Sequence, residues 1–245
     1  MSAIDFIAEP IALPQPPAGA AGKRLIAIYD MDKTITRRAT YNYFLWHMMW
    51  NRSPWRIVLA PLLLVGLALF GLGIWEGGRL KSFSQRILIG RTLRRDEIAH
   101  HLDRHADVVL GRNVYPEALA RIKAERDQGF IHVLATASYR LYVEAIAHRL
   151  DFDHVIATDL HMDRKGRILA KIDGENVYDF GKLKRVENWL AQQGLTREDC
   201  YIRGYSDHYS DAPLLGFADE GYAVNPHARL SVLARDNGWD VIDWR

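Results

Sequence analysis

Hydrophobic and polar positions along the chain fall into three regimes. The first is short: Leu25 to Tyr29 is an apolar run that ends in the pair Asp30 and Asp32, the pattern of a fully buried strand. The second covers residues 40–105 and is helical in rhythm. It begins TYNYFLWHMMW, passes through a long apolar run and LKSFSQRILIG, and ends in DEIAHHLDRHADVVL, with Asp96 expected to cap that last helix. The third regime starts near Val114 and alternates. It predicts helices over Glu117–Gln128, Arg140–Leu150 and Lys182–Gln193, and a short one over Ala212–Phe217. Between them it predicts strands over Ile131–Thr136, His154–Thr158, Cys200–Gly204 and Tyr222–Val224. Residues Leu160 to Ile172 read as a hairpin turning at Lys165-Gly166, a last helix is expected from near Pro226, and WDVIDW closes the chain as an edge strand. Strands alternating with helices imply an α/β fold with a parallel sheet covered on both faces. The helical block interrupts that alternation just after the first strand, so it reads as an insert. The expected organisation is a flexible tail over 1–23, a core of 24–39 and 106–245, and a helical cap over 40–105.

The apolar run, Ile57 to Trp75, carries no charged side chain. As one helix it would span roughly 28 Å, about the hydrocarbon thickness of a bilayer. Two readings stand: a buried cap helix, or membrane contact. Between residues 51 and 95 there are eight basic side chains and one acid, Glu76, and Trp46, Trp50, Trp55 and Trp75 flank the run. Basic and tryptophan-rich borders suit an anionic membrane surface. A single crossing would put Asp30 and the later polar strand ends on opposite sides of the membrane. The segment is therefore expected to lie in the interface or to dip in and return, bending at Pro61, Gly66, Gly71 and Gly73.

Composition narrows the picture. The net charge of +2 gives no footing for nucleic-acid binding. The single cysteine, Cys200, excludes an intramolecular disulfide framework and a multi-cysteine zinc site, and it fits a reducing compartment. It is expected as a small buried residue at a strand start. The histidines at 100, 101 and 105 are expected on a polar cap face rather than at a metal.

In a parallel α/β sheet, ligands bind at the carboxyl ends of the strands. The polar residues there are Asp30-Met31-Asp32-Lys33-Thr34, then Thr136-Ala137-Ser138, then Ser206-Asp207-His208-Tyr209-Ser210-Asp211, with Lys182 opening the preceding helix. Several aspartates form a hard oxygen site suited to Mg²⁺. A cation and a lysine neutralise a phosphoryl group, one carboxylate attacks phosphorus, and a second moves the proton.

This ordered set, DMDKT, a strand ending in Thr136, Lys182 and GYSDHYSD, resembles the four motifs of the haloacid dehalogenase-like (HAD) superfamily. It is most similar to the phosphoserine-phosphatase-like branch (subfamily IB), whose helical cap lies between the first and second motifs. AVNPHARL after the fourth motif is similar to that branch as well. The resemblance implies a Rossmann-like core and a Mg²⁺-dependent phosphomonoester phosphatase working through an aspartyl-phosphate. It implies Asp30 as nucleophile and metal ligand, and Asp32 as general acid and base whose backbone carbonyl also meets the metal. Thr136 and Lys182 would hold phosphate oxygens, Asp207 would ligate the metal, and Asp211 would support it or Lys182.

The chain departs from the branch at three places. Lys33 stands where many relatives have glycine, Thr136-Ala137-Ser138 replaces Ser-Gly-Gly, and Ala39 occupies the position of a glutamate that binds the amine of phosphoserine. The apolar cap resembles that of a phosphatidylglycerophosphate phosphatase, which makes a membrane lipid phosphate the expected substrate. A soluble phosphatase of phosphoserine type and a non-catalytic membrane-associated module are the alternatives. The expected setting is cytoplasmic, with a peripheral place on the cytoplasmic face of the membrane.

Overall fold

The structure is a computed structural model and describes residues 11–174 and 180–244, with the backbone alone at Phe180. Eight strands form one sheet in the order β2-β5-β4-β3-β1-β6-β7-β8. They are β1 (Arg24–Tyr29), β2 (Thr92–Leu93), β3 (Ile131–Tyr139), β4 (His154–Met162), β5 (Ile168–Asp173), β6 (Cys200–Ser206), β7 (Glu220–Val224) and β8 (Asp240–Ile242). The six core strands pair in parallel, from β4 across to β8. β5 turns back antiparallel on β4, and β2 from the helical block adds antiparallel to β5. The hairpin turns where expected. Asp163 accepts the backbone N–H groups of Lys165 and Arg167 at 2.9 and 3.0 Å.

The helices are α1 (Thr40–Arg52), α2 (Leu62–Gly71), α3 (Gly77–Leu88), α4 (Arg95–Asn113), α5 (Pro116–Asp127), α6 (Arg140–Arg149), α7 (Phe180–Gln192), α8 (Ala212–Phe217) and α9 (Ala228–Asn237). One buried cluster joins the helical block to the sheet through Tyr29, Phe44, Met48, Leu102, Tyr139 and Tyr142. A second lies on the other face, where Val186 and Leu190 of α7 pack on Ile26, Ile28 and Ile202. α4 runs unbroken through residues 105 and 106, where the cap was expected to end.

The central strands are tied below the site by one buried carboxylate. Tyr29 and Tyr205, paired in register across β1 and β6, both donate to Glu125 of α5. Their rings stack at 4.1 Å. Each tyrosine stands just before a polar strand end, so Glu125 anchors the backbone that delivers Asp30 and Asp207. A buried carboxylate is tolerated here because Arg203 pairs with it at 3.3 Å.

Three expectations change. Asp96 does not cap its helix: it sits in the first turn and bonds the Arg94 guanidinium instead, at 2.7 Å. The distal part of the tail is held, because the carbonyls of Leu13 and Pro14 accept from Gln128 and that of Pro14 also from Arg203. His101 and His105 do not form a polar face. Both are buried, with His105 packed among Tyr43, Phe44 and Tyr142.

The apolar run is broken rather than continuous. A 3-10 turn spans Pro54–Leu59, α2 follows Pro61, and the chain turns back at Gly73, whose φ is +71°. Among the described residues no helix is long and apolar enough to cross a membrane. Burial is refuted for most of the run. Val58, Leu64 and Leu72 are 71%, 67% and 73% exposed, and Val65, Leu67, Phe70 and Ile74 are exposed with them. Within α2, Gly66 alone is buried. A Cβ there would lie 2.8 Å from Phe83, so the missing side chain lets α2 rest on α3.

Candidate active site

All six expected site residues meet at the carboxyl ends of the parallel strands. Asp30, Asp32, Thr136, Lys182, Asp207 and Asp211 line one cleft of about 190 Å³. Its floor is rigid because β1 lies between β3 and β6 in continuous register. The Asp30 N–H bonds the Tyr205 carbonyl at 2.9 Å, which fixes the Asp30 backbone to the strand that carries Ser206 and Asp207. A wider cavity of 660 Å³ between α3 and β5 holds none of these carboxylates, so the chemistry lies in the smaller cleft.

Lys182 is the centre of charge. Its Nζ donates to Asp30 Oδ1 at 2.8 Å and to Asp211 Oδ2 at 2.6 Å, with all three side chains nearly closed to solvent. Burial alone would lower the Lys182 ammonium, but Asp211 and Asp30 lift it well above the ordinary lysine value. Asp211 stands at the helix N-cap position of α8 yet makes no side-chain cap bond. It accepts from Lys182 and from Ser206 Oγ at 2.6 Å.

Asp32 is held differently. Its Oδ1 accepts the Thr40 N–H and hydroxyl at 2.7 and 2.8 Å, and its Oδ2 accepts Ser138 Oγ at 2.7 Å. Thr40 also meets Tyr142 Oη at 3.1 Å. The first residue of the helical block and the end of β3 therefore aim this carboxylate together. Thr136 is buried, and its Oγ1 accepts the Ser138 N–H at 3.2 Å. Lys33 adopts φ +66°, the left-handed region that favours glycine, which explains why the motif tolerates glycine there.

Thr34 and Ser138 were quoted in motifs but given no role by sequence reasoning. Thr34 Oγ1 lies 3.3 Å from Asp30 Oδ2 and 3.4 Å from Asp207 Oδ1, and it accepts the Asp207 N–H at 3.0 Å. The fixed spacing of the Asp-x-Asp-x-Thr run was the available signal for Thr34. Ser138 and Thr40 carry no such signal, because their target, Asp32, is 106 and 8 residues away.

The donor set fits a hard divalent cation. The Thr34 hydroxyl has one proton and two carboxylate oxygens at hydrogen-bond range, so one oxygen is left short. Burial pushes Asp30 up to about 7, with Lys182 opposing and Asp211 and Asp207 adding to the rise. Burial likewise pushes Asp207 up to about 6, with Lys33 opposing and Asp211 adding. Two buried, mutually repelling carboxylates with only oxygen donors suit Mg²⁺, which keeps several positions for water or substrate oxygens. Among the described residues no three His, Cys, Asp or Glu side chains gather as a metal cage. Asp30 and Asp207, brought together at the Thr34 hydroxyl, are the carboxylate pair this cleft offers a cation.

The family model for haloacid dehalogenase-like hydrolases matches residues 27–216, which span every one of these groups. The chain belongs to that hydrolase family. Phosphoserine phosphatase SerB1 of Mycobacterium tuberculosis is 31% identical over 147 residues, 56% of this chain and 47% of that protein. The chain thus spans about half the length of that curated relative. Protein CicA of Caulobacter vibrioides is 28% identical over 227 residues, covering 91% of this chain and 97% of its own length. A protein with unknown function from Bordetella pertussis superposes with a TM-score of 0.78 at 25% identity, over 91% of this chain and 100% of the other.

Proposed function

We propose that this hydrolase is a phosphomonoester phosphatase that works through an aspartyl-phosphate at Asp30. The observation that supports it most is the different holding of the two motif carboxylates. Asp30 is buried against Lys182, and Asp32 is aimed by three hydrogen bonds from two segments. In the first step an Asp30 oxygen attacks phosphorus, the P–O bond to the alcohol breaks, and Asp32 gives its proton to the leaving oxygen. In the second step Asp32 takes a proton from water. That water attacks phosphorus, and Asp30 leaves as a carboxylate with release of inorganic phosphate. Thr136 Oγ1 and Lys182 Nζ hold phosphoryl oxygens through both steps, and Asp211 keeps Lys182 in place. Asp30, Asp207 and the Asp32 carbonyl would hold Mg²⁺, which when bound supplies charge neutralisation to the phosphoryl group.

The substrate class we favour is a lipid phosphomonoester at a membrane surface, with phosphatidylglycerophosphate as the model compound. The exposed apolar face of α2 supports it, with the exposed rings of Trp46, Trp50 and Trp55 beside it. Of the eight basic side chains around the run, Arg52, Arg94 and Arg95 are paired with acids. Arg56 and Arg79 lie over the Trp55 and Trp75 rings, a cationic and aromatic border to the apolar face. The place of action would be the cytoplasmic leaflet. A soluble phosphatase of phosphoserine type is the second reading, supported by the name of the SerB1 relative. Against it stands Ala39, which offers no carboxylate to a substrate amine.

The test is phosphate release from p-nitrophenyl phosphate, phosphatidylglycerophosphate in mixed micelles and phosphoserine, with Mg²⁺, with EDTA and with Asp30→Asn. Mg²⁺-dependent turnover that is lost in Asp30→Asn and strongest on the lipid is expected. Turnover confined to phosphoserine would refute the lipid reading, and Asp30→Asn retaining full activity would refute the nucleophile.

A further inference from the structure

Lys81, on α3, is a basic residue of the helical block whose amine reaches the cleft wall. Its Nζ donates to the carbonyl of Ala137 at 2.9 Å, between Thr136 and Ser138 at the end of β3. An ammonium has three N–H donors. Among the described residues Lys81 Nζ makes no second hydrogen bond and no ion pair. The side chain is held in place rather than free, because the amine lies 5.8 Å from the Tyr41 ring and the Tyr41 hydroxyl bonds the Lys81 carbonyl at 2.7 Å. A partly buried cation with one neutral partner is costly, and an anion delivered to it is correspondingly favoured.

Building on the phosphatase reading above, we propose that Lys81 is a specificity residue that binds a second negative charge on the substrate's leaving group. Position argues for the leaving-group side. Lys182 and Thr136 already serve the phosphoryl side, with Lys182 locked between Asp30 and Asp211. The Ala137 carbonyl that Lys81 holds is followed directly by Ser138, whose hydroxyl holds Asp32 Oδ2 at 2.7 Å. On the phosphatase reading Asp32 meets the leaving oxygen, so the Ala137-Ser138 end of β3, where Lys81 is held, is the leaving-group side of the cleft. One turn further along α3, on the same side of the helix, Gln85 is fully buried with neither amide atom partnered. This amide is a further polar group on the Lys81 face of α3 that lacks a partner among the described residues.

The substrate class that follows is a phosphomonoester whose alcohol carries a further anion. That anion has two sources with one chemistry: the phosphodiester of a lipid headgroup, or the carboxylate of a small phosphorylated acid. A neutral leaving group would leave the Lys81 donors as they are.

The experiment compares wild type, Lys81→Met and Lys81→Arg on three Mg²⁺-supported esters. These are p-nitrophenyl phosphate, 3-phosphoglycerate and the deacylated headgroup glycerophosphorylglycerol phosphate. The readout is the ratio of kcat/KM on each anionic ester to that on p-nitrophenyl phosphate. A loss of general folding or of cleft geometry lowers all three values and leaves the ratio alone. The ratio is expected to fall by roughly tenfold to a hundredfold in Lys81→Met, the scale of one hydrogen bond to a charged group, and to recover in part in Lys81→Arg. A fall on the phosphodiester ester alone assigns the lipid source, and a fall on the carboxylate ester alone assigns the small acid. A ratio that does not move in Lys81→Met overturns the role of Lys81. A wild type silent on all three esters overturns the phosphatase reading itself.

Discussion

His105→Phe should remove an acid weakness built into the helical block. His105 of α4 is fully buried, and neither ring nitrogen has a hydrogen-bond partner among the described residues. Its neighbours are rings: Tyr43 at 5.1 Å, Tyr142 at 5.2 Å, Phe44 at 5.7 Å and His47 at 5.9 Å. Burial, with a smaller contribution from His47, lowers the imidazole to about 3. The sign follows from linkage. A group depressed in the folded state favours folding above its unfolded pKa, about 6.5, and withdraws that support as pH falls toward the folded value. Between about pH 7.5 and pH 5 the unfolded imidazole takes up a proton that the folded one refuses. This costs the wild type about 2 kcal/mol of stability. Phenylalanine fills the same aromatic site, loses no hydrogen bond and titrates nowhere. The assay is urea unfolding of both proteins at the two pH values, read as a difference of differences, so that a fixed packing change cancels. Wild type should lose about 2 kcal/mol more than His105→Phe on acidification. Equal losses would show that the imidazole is reached by solvent or bonded, and the reading of this cluster would be wrong.

Lys182→Met leaves Asp30 and Asp211 buried without their shared cation and should cost about 3–5 kcal/mol in denaturant unfolding, together with all turnover. A loss below about 1 kcal/mol would contradict the closed geometry of that triad. Ser138→Ala removes one of three hydrogen bonds that aim Asp32 and should lower kcat about tenfold with little change in KM. An unchanged kcat would mean that Thr40 alone aims the carboxylate. Leu64→Glu, at an exposed position of α2, should leave unfolding within about 0.5 kcal/mol of wild type. The same change should weaken flotation with vesicles rich in phosphatidylglycerol by roughly tenfold or more. Flotation at wild-type strength in this variant would exclude α2 as the contact face.

The core was readable from sequence because its elements repeat one local rule. Three apolar runs that ended in a hydroxyl or carboxylate, β1, β3 and β6, became parallel strands delivering that group to the cleft, as Tyr29 with Asp30 and Tyr205 with Ser206 and Asp207 show. Short ranges were underestimated at strand ends. β3 runs to Tyr139 and β4 to Met162, because polar residues there pair with neighbours that periodicity does not see. The helical block was harder. His101 and His105 look polar in a sequence, yet packing against aromatic rings overrode that polarity. The reverse holds for Leu64 and Leu72, which a core-forming pattern would bury and which stand in solvent. Asp96 looks like a helix cap, but a neighbouring guanidinium competes for it. For the histidines and Asp96 the outcome depended on partners that local periodicity does not show, aromatic rings from other segments in one case and a charge next door in the other.

The helical block and the cleft cannot be separated chemically, because two of its helices each supply a group to the catalytic strands. Thr40, at the first turn of α1, holds Asp32, and Lys81 of α3 holds Ala137. The exposed apolar helix, α2, contributes no residue to the cleft lining among the described residues. It rests on α3 through Gly66 against Phe83 and Leu80, the residue next to Lys81. Leu80 and Lys81 serve different tasks from adjacent positions, one packing the apolar helix and the other donating to Ala137 at the cleft wall. Anything that binds the α2 face is therefore one helix contact from the Lys81 amine at the end of β3. The close approach at Gly66 leaves no slack in that contact, since even a methyl group would meet Phe83 at 2.8 Å. The exposed apolar surface and Lys81 thus sit on one packed pair of helices, and on the proposed lipid reading a substrate held at that surface would be presented to Lys81 and Asp32 together.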